Sequence, residues 1–247
     1  MNDLRERLSH VLWIGGGPCV GKTMLSRLIA GKYDLKIYNA DWHHVREHRG
    51  RPGGVPAGWD ALSMDERWLQ PSPVALAERE IRSWTAHFAL VVEDLLAMPS
   101  ARPILAEGPS LFPWSVAPVI ASPRQAIFLL PTPDFRAFVL DRRGGGSATK
   151  TTDPERASRN IAERDAILAS RIAAACQQLG LRHVRVDGSL PIDESAALLE
   201  EHFAPHLPAD YNASGWPSLR RRRRRRFAFC RADPDRLDVR ELADPER

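Results

Sequence analysis

The sequence has few cysteines, no long apolar run and no internal repeat, and each absence excludes a class of protein. The three cysteines, Cys19, Cys176 and Cys230, are far apart and form no C-x-x-C pair. A disulfide framework or a zinc site is therefore not expected from them. No apolar run approaches the ~18 residues of a membrane span, and the charged residues at Met1–Arg7 do not fit a signal peptide. We expect no membrane partner and a cytoplasmic protein.

The positive charge of the chain is concentrated in one segment. The 247 residues carry a net charge of +4, but from Ser214 onward there are 11 Arg against 6 Asp and Glu, including Arg220–Arg226. Because like charges repel, we predict a disordered tail over residues 209–247. No nucleic-acid-binding module accompanies this tail, so we expect at most a weak polyanion contact through Arg220–Arg226. With 43% apolar residues, the chain has enough for one large folded domain, which we place at residues 1–208.

A glycine-rich segment, GGPCVGKT at residues 16–23, has the spacing G-x-x-x-x-G-K-[ST] of a phosphate-binding loop (P-loop, or Walker A motif). The apolar run His10–Ile14 precedes it and a helical pattern follows it, so it lies between a strand and a helix. These flanks favour the P-loop over a chance glycine turn. Lys22 is expected to reach the β- and γ-phosphates of a nucleotide and Thr23 to hold Mg²⁺. The predicted nucleotide contacts are Gly16, Gly17, Pro18, Cys19, Val20, Gly21, Lys22, Thr23 and Met24.

Two further predicted strands end in carboxylates. Leu35–Asn39 is followed by Asp41, and Arg102–Ala106 is followed by Glu107. Ligands of open α/β sheets bind beyond the carboxyl ends of the strands, so both carboxylates are expected beside the P-loop. Asp41 can orient or deprotonate a substrate hydroxyl, and Glu107 can hold Mg²⁺ through water or act as the base. The alternative for each is a structural role at a helix cap or turn.

The residues between these carboxylates predict a loop and a helical insert. His43, His44 and His48 follow Asp41, but their spacing matches no strong metal signature, and we predict a polar loop there. Arg49–Gly58 is rich in proline and glycine and is also predicted to be a loop. Helical spacing over Met64–Met98, broken near Pro71, predicts that residues 59–99 form a helical insert on the substrate side.

The second half of the domain predicts two more strands and a lid. Gln125–Leu130 and Leu181–Asp187 read as strands, and a last helix is predicted over Ile192–Phe203. Basic residues beside Gly144–Gly146 suit a lid that closes over phosphates, which we place at residues 141–165.

A long helix is predicted from Glu155 to about Leu179, with Asp153 as its N-cap and Pro154 at its start. An apolar stripe of this helix is predicted to face the core, and its arginines gather largely on the other side. These arginines form a solvated face or clamp the transferring phosphoryl group. They are Arg156, Arg159 and Arg164.

The order of these features resembles the nucleoside monophosphate kinase and shikimate/gluconate kinase branch of the P-loop NTPases, over roughly Ser9–Phe203. The resemblance implies a three-layer α/β fold with a five-stranded parallel sheet in the order 2-3-1-4-5 and helices on both faces. It also implies a helical insert on the substrate side and an arginine-bearing lid. ATP and Mg²⁺ are the implied cofactors, and a small molecule is the implied acceptor.

The same resemblance implies roles for individual residues. Lys22 and Thr23 resemble the phosphate and Mg²⁺ residues, and Asp41 resembles the acidic residue that meets the acceptor. Arg159 and Arg164 resemble the arginines of the lid helix, and the Asp187-Gly188 loop resembles the one that flanks adenine. Three features depart from the family pattern. There is no Asp-rich Walker B motif, for which Glu107 is the only substitute, Pro18-Cys19 is an unusual interior for the P-loop, and the insert has no acceptor motif.

We therefore interpret the sequence as an ATP- and Mg²⁺-dependent small-molecule kinase. Two alternatives stay open at this point. One is a nucleotide-dependent ATPase or switch that acts with a macromolecular partner, and the other is an ATP-binding protein without catalysis. The identity of the acceptor, the choice between Asp41 and Glu107 as the base, and the oligomeric state do not follow from the sequence.

Overall fold

A computed structural model describes residues 2–208, and its strands form one all-parallel sheet in the order β2-β3-β1-β4-β5. This confirms the fold class and the strand order that the resemblance implies. The strands are β1 (Val11–Gly16), β2 (Lys36–Asn39), β3 (Ile104–Glu107), β4 (Ala126–Pro131) and β5 (Arg182–Val186).

Nine α-helices connect and cover these strands within the part of the chain that the structure describes. They are α1 (Asn2–Arg7), α2 (Lys22–Tyr33), α3 (Ala40–Arg46), α4 (Met64–Trp68), α5 (Pro73–Ala97), α6 (Pro113–Val116), α7 (Pro133–Arg142), α8 (Pro154–Leu179) and α9 (Ile192–Phe203). Short 3₁₀ helices lie at Trp59–Ala61, Ala117–Val119, Pro123–Gln125, Gly146–Lys150 and Ala204–His206.

The sheet has an apolar core on each face because successive residues of a strand point to opposite sides. Val11 and Trp13 of β1 belong to the core beneath α5 and α8, and Leu12 and Ile14 belong to the core beneath α2 and α9. All six residues of β1 are buried. Because β1 is buried on both faces, it holds the start of the following loop in a fixed position. One layer of helices lies on each side of the strand.

Most of the predicted elements are present, with small differences at their ends. Helix α9 has the predicted bounds, and α8 begins at Pro154 with Asp153 as its N-cap, as predicted. The break in the insert near Pro71 is also present, between α4 and α5. Gly31 predicts an end of the P-loop helix near that residue, but α2 continues to Tyr33, and Asp34 ends it in the left-handed conformation.

The prediction of a polar loop for the histidines after Asp41 is wrong. His43 and His44 lie on α3, and His44 and His48 are buried. The prediction fails because closely spaced histidines suggest a polar, exposed segment. In the fold, α5, which is distant in the sequence, covers these histidines. The expectation of a disordered tail at 209–247 concerns residues outside those described, so it and the domain boundary at residue 208 stay predictions. None of the described helices is long and apolar enough to cross a membrane.

Candidate active site

The P-loop lies where the sequence predicts it, between the end of β1 and the start of α2. Gly16 has φ +111°, and a Cβ there would come within 2.0 Å of the carbonyl oxygen of Leu129 on β4. A Cβ on Gly17 would lie 2.6 Å from Cδ of Pro131. Both positions therefore require glycine, since the loop passes too close to the neighbouring strand for any side chain.

The first turn of α2 offers an anion site built from the backbone. Its N-cap, Gly21, has no side-chain capping bond, and the turn contains no acidic residue. The N–H groups at the start of a helix have no partner within the helix, and the helix dipole adds positive charge there. By contrast, Asp153 caps α8 by accepting a hydrogen bond from the amide of Arg156. The start of α2 thus leaves its donors available to a bound phosphate.

Lys22 places its ammonium group inside the loop. Its Nζ donates to the carbonyl oxygens of Gly17 at 2.6 Å and Gly16 at 3.3 Å. The residue is buried, and burial lowers the pKa of Lys22, against the opposing attraction of Glu107 and Asp41. Its hydrogen-bond partners are neutral carbonyl groups, so a ligand that brings negative charge into the loop would be stabilised strongly.

Glu107 joins the P-loop helix to the end of β2. Its Oε1 accepts hydrogen bonds from the hydroxyl of Thr23 at 2.9 Å and from Nδ2 of Asn39 at 2.7 Å. Asn39 is also the N-cap of α3, accepting from the amide of Trp42 at 2.8 Å. Burial raises the pKa of Glu107, and the bond from Thr23 and the charge of Lys22 oppose that shift. The N-cap of α3 is Asn39, and neither Glu107 nor Asp41 accepts an N-capping hydrogen bond from a described residue.

Asp41 lies in the first turn of α3, directly after β2, and is exposed. We call the space beyond the carboxyl ends of β1, β2 and β3 the cleft. Among the described residues, the carboxylate of Asp41 accepts no hydrogen bond. Partial burial raises the pKa of Asp41, and the charge of Lys22 opposes that shift. Asp41 and Glu107 both act electrostatically on Lys22, so the structure brings all three predicted residues to one rim of the sheet.

The predicted positions of the lid-helix arginines are partly wrong. Arg164 was expected away from the apolar stripe of α8, but it is buried on the same side as Ala157 and Leu168. Its guanidinium pairs with Glu80 of α5 at 2.5 Å and with Asp165 at 2.6 Å. Paired carboxylates make the burial of an arginine possible, and helical periodicity cannot reveal partners on another helix.

Arg156 and Arg159 are exposed on α8. Arg159 lies 3.8 Å from Glu155 and lines a surface depression formed by residues 154–162 alone. The structure therefore does not bring Arg159 together with the P-loop. Arg164 lines a different cavity. Pro18 of the P-loop, Trp68 and Gly146 also line it.

Sequence reasoning missed several residues around the site. Arg136 of α7 is buried, pairs with Asp165 and lines the cavity beside Pro18. Arg143, by contrast, belongs to the predicted lid; it follows α7 and is exposed, and its positive charge acts on both Lys22 and Cys19. Asn39 could be predicted from the sequence, because it is a polar residue at the end of a predicted strand, which is the criterion that identified Asp41. Arg136, Asp165 and Glu80 had no such signal because their partners lie on separate helices.

The predicted adenine loop follows β5 and packs against α7. Asp187 accepts hydrogen bonds from the amide of Ser189 at 2.9 Å and from its hydroxyl at 2.6 Å, and these bonds lower the pKa of Asp187. A Cβ on Gly188 would lie 2.6 Å from the ring of Phe135. A Cβ on Gly21 would lie 4.0 Å from Ile192, just beyond this loop. Gly188 thus contacts α7, and Ile192 lies near the start of α2.

The sheet order, the P-loop after the central strand and the covering helices together define a P-loop protein with the kinase-type fold. Solved structures with a similar fold include shikimate kinase from Acinetobacter baumannii in complex with shikimate, at 11% identity and TM-score 0.42, covering 79% of this chain and 93% of that one. They also include a gluconokinase from Sinorhizobium meliloti 1021, at 17% identity and TM-score 0.44, covering 81% and 94%. Shikimate kinase from Aquifex aeolicus matches at 12% identity and TM-score 0.40, covering 79% and 96%.

No protein-family model matches the sequence, and no curated protein matches it. At these identities the likeness to solved structures concerns the fold. The class of the protein rests on its own sheet order and P-loop geometry.

Proposed function

We propose that this protein is an ATP- and Mg²⁺-dependent kinase that transfers the γ-phosphoryl group of ATP to a small acceptor. The observation that carries the proposal is the contact between Thr23 and Glu107 at 2.9 Å, next to the buried ammonium of Lys22. This contact joins the P-loop helix to the end of the adjacent strand β3. A phosphate site at Lys22 and a cation site at Thr23 and Glu107 would then lie side by side.

The donor set at the start of α2 fits Mg²⁺ bound to nucleotide phosphates. Mg²⁺ prefers hard oxygen ligands and keeps several waters, and Thr23 and Glu107 supply a hydroxyl and a carboxylate. Both hydrogen bonds that Glu107 accepts end on Oε1, so its Oε2 is available to orient a metal-bound water. When bound, Mg²⁺ would offset the charge on the phosphate oxygens during transfer.

Asp41 fits the role of base better than Glu107. Glu107 already accepts two hydrogen bonds and is buried, whereas Asp41 is exposed to the cleft and accepts none from the described residues. A base must come within hydrogen-bond reach of the proton that it accepts. We assign to Asp41 the proton of the acceptor hydroxyl and to Glu107 the positioning of Thr23 and the cation.

Arg143 of the predicted lid adds a second positive charge near Lys22. Arg143 forms no ion pair with any residue in the described range, and its charge reaches Lys22 and Cys19. Arg164, in contrast, is held between Glu80 and Asp165. We assign to Arg143 the contact with the transferring phosphoryl group, because its guanidinium has no other anion to satisfy. Arg164 and Arg136 then hold α5, α7 and α8 together around the cleft.

An ADP-release screen of the full chain against pooled metabolites tests this proposal. The pools contain sugar acids, nucleosides and aminoglycoside antibiotics, each with MgATP. We expect ADP release that depends on one pool, and an about 10²–10³-fold loss of turnover in Lys22→Ala from the removal of one preorganised positive donor. Lys32→Ala is the matched control, since Lys32 lies on the same helix and pairs with Glu200 at 2.6 Å.

The result also separates the alternatives. Equal turnover by Lys22→Ala and wild type would contradict the assigned role of the lysine. ADP release that needs no acceptor would favour an ATPase over a kinase. Tight MgATP binding without turnover across all pools would favour a nucleotide-binding protein without catalysis.

A further inference from the structure

A cluster of histidines lies between α3 and α5, outside the phosphate-binding machinery. His43 is on α3, His48 lies shortly after that helix, and His87 and Asp94 are on α5. His48 is 1% exposed and His87 is fully buried. None of these residues was singled out for the proposed kinase reaction. The cluster joins two elements that are far apart in the sequence and that flank the cleft.

The spacing of the side-chain atoms fits a metal ion. One ring nitrogen from His43, one from His48 and one carboxylate oxygen of Asp94 all lie within 4.8 Å of one another. Oδ2 of Asp94 is 2.9 Å from Nε2 of His48 and 3.7 Å from Nδ1 of His43. With zinc–ligand bonds of about 2.0–2.1 Å, the ligand atoms of a tetrahedral site are about 3.3 Å apart. The two observed distances lie on either side of that value.

A buried nitrogen in this cluster lacks a hydrogen bond. Nε2 of His48 has no hydrogen-bond partner among the described residues, although Oδ2 of Asp94 lies close to it. The carboxylate is therefore near the nitrogen without the direction that a hydrogen bond requires. A buried polar atom without a partner costs free energy, and a metal ion placed between the two atoms would satisfy both.

The surrounding contacts favour the metal-binding form of the ligands. Nδ1 of His48 lies 2.9 Å from Nε2 of His87, so His48 can donate from Nδ1 while its Nε2 binds a metal. The hydroxyl of Tyr38 donates to Oδ2 of Asp94 at 2.6 Å. Glu47 lies 2.8 Å from the same Nδ1 of His43, so an ion bound there would replace the proton of that nitrogen and have a second carboxylate beside it.

We propose that His43, His48 and Asp94 bind a Zn²⁺ ion that fastens α3 to α5. Two imidazoles and one carboxylate form a donor set that zinc accepts and that Mg²⁺ does not prefer. No other group of three such ligands occurs among residues 2–208. Because α3 also carries Asp41, the ion would hold the acceptor side of the cleft in place. The zinc site does not depend on the kinase reaction.

Metal analysis of the purified full chain tests the site. The protein is incubated with ZnCl₂, freed of unbound metal by gel filtration and analysed for zinc, and Co²⁺ is used in parallel as a spectroscopic probe. We expect one zinc per chain and the visible absorption of cobalt in a nitrogen- and oxygen-ligated site. His48→Gln and Asp94→Asn should each weaken zinc binding at least tenfold, measured by competition with a chelator. Mg²⁺ should not compete.

His183→Gln is the matched control, since His183 lies on β5 and takes no part in the cluster. Because His48 is buried, its variant can fail to fold; His43→Gln, at a half-buried position, is then the second test, with circular dichroism to confirm folding. The zinc-induced rise in melting temperature should be lost in His43→Gln and kept in His183→Gln. Absence of stoichiometric zinc, or equal binding by wild type and the cluster variants, would mean an adventitious ion only and would overturn the proposal.

Discussion

The hydroxyl of Thr23 donates a hydrogen bond of 2.9 Å to Glu107, which lies 84 residues further along the chain. Thr23 belongs to the first turn of α2 and Glu107 is the last residue of β3, the strand beside β1. The parallel pairing of β1 and β3 is what brings the two side chains together. The contact places a carboxylate next to the P-loop in a chain that has no Asp-rich Walker B motif.

Glu107→Gln should weaken the binding of MgATP while leaving the binding of metal-free ATP nearly unchanged. The amide keeps the shape of the side chain and loses the charge that orients the cation, so we expect about 10–100-fold weaker binding in the presence of Mg²⁺. Isothermal titration with and without Mg²⁺ measures this difference. Glu200→Gln is the control, because Glu200 of α9 pairs with Lys32 at the opposite end of α2 from the P-loop. An unchanged dependence on Mg²⁺ would remove Glu107 from the cation site.

Asp41→Asn should abolish most of the turnover while nucleotide binding stays intact. Loss of a general base typically costs about 10²–10⁴-fold in rate. Asp41 must be ionised to accept a proton, and its pKa is raised by partial desolvation. Turnover of the wild type should therefore fall at acidic pH, starting above the usual range of an aspartate. A pH profile of kcat/KM, once an acceptor is known, measures this, and full activity of the variant would assign the base elsewhere.

Gly16→Ala and Gly31→Ala should have opposite effects on stability. At Gly16 the positive φ alone costs an alanine roughly 1–3 kcal/mol, and the added Cβ would overlap the carbonyl of Leu129. Gly31 lies inside α2 with no atom within 4 Å of an added Cβ. Alanine there should stabilise the protein by about 0.5–1 kcal/mol. Urea unfolding measures both, and a tolerated Gly16→Ala would show that the loop is not held against β4.

Asp165→Asn should destabilise the protein strongly. Asp165 is buried between Arg136 and Arg164, and its removal leaves two buried guanidinium groups short of negative charge. Breaking a buried ion pair from one side costs roughly 3–5 kcal/mol. Glu155→Gln, at the exposed pair with Arg159, should leave the unfolding midpoint unchanged. If both variants unfold at the same urea concentration, the three helices are not held by this network.

His202 should make the protein less stable in mild acid. Burial lowers the pKa of His202, although its bond to the carbonyl of Ala126 at 2.8 Å opposes that shift. The unfolded chain binds a proton near pH 6.5 and the folded chain binds it only at lower pH, so stability is complete above that value and falls as the pH drops below it. His202→Gln should flatten the slope of unfolding free energy against pH, by at most about one proton. An unchanged slope would assign the effect to other groups.

The sequence by itself determined the P-loop, the strand order through its resemblance, and the approximate position of every strand. Each of these depends on local rules: glycine where the backbone is crowded, apolar runs where a strand is buried on both faces, and proline after a helix cap. Asp41 and Glu107 were identifiable for the same reason, because the ends of parallel strands meet at one edge of the sheet.

The tertiary structure alone decided which side chains meet across elements. Arg164 is buried because Glu80 and Asp165 neutralise it, and Arg159 on the same helix stays exposed. The histidines after Asp41 are enclosed because α5 brings His87 and Asp94 against them. The helical periodicity of a sequence shows only which of its residues are apolar. The free energy of burying a charge or an imidazole depends on a partner tens of residues away, and packing alone supplies that partner.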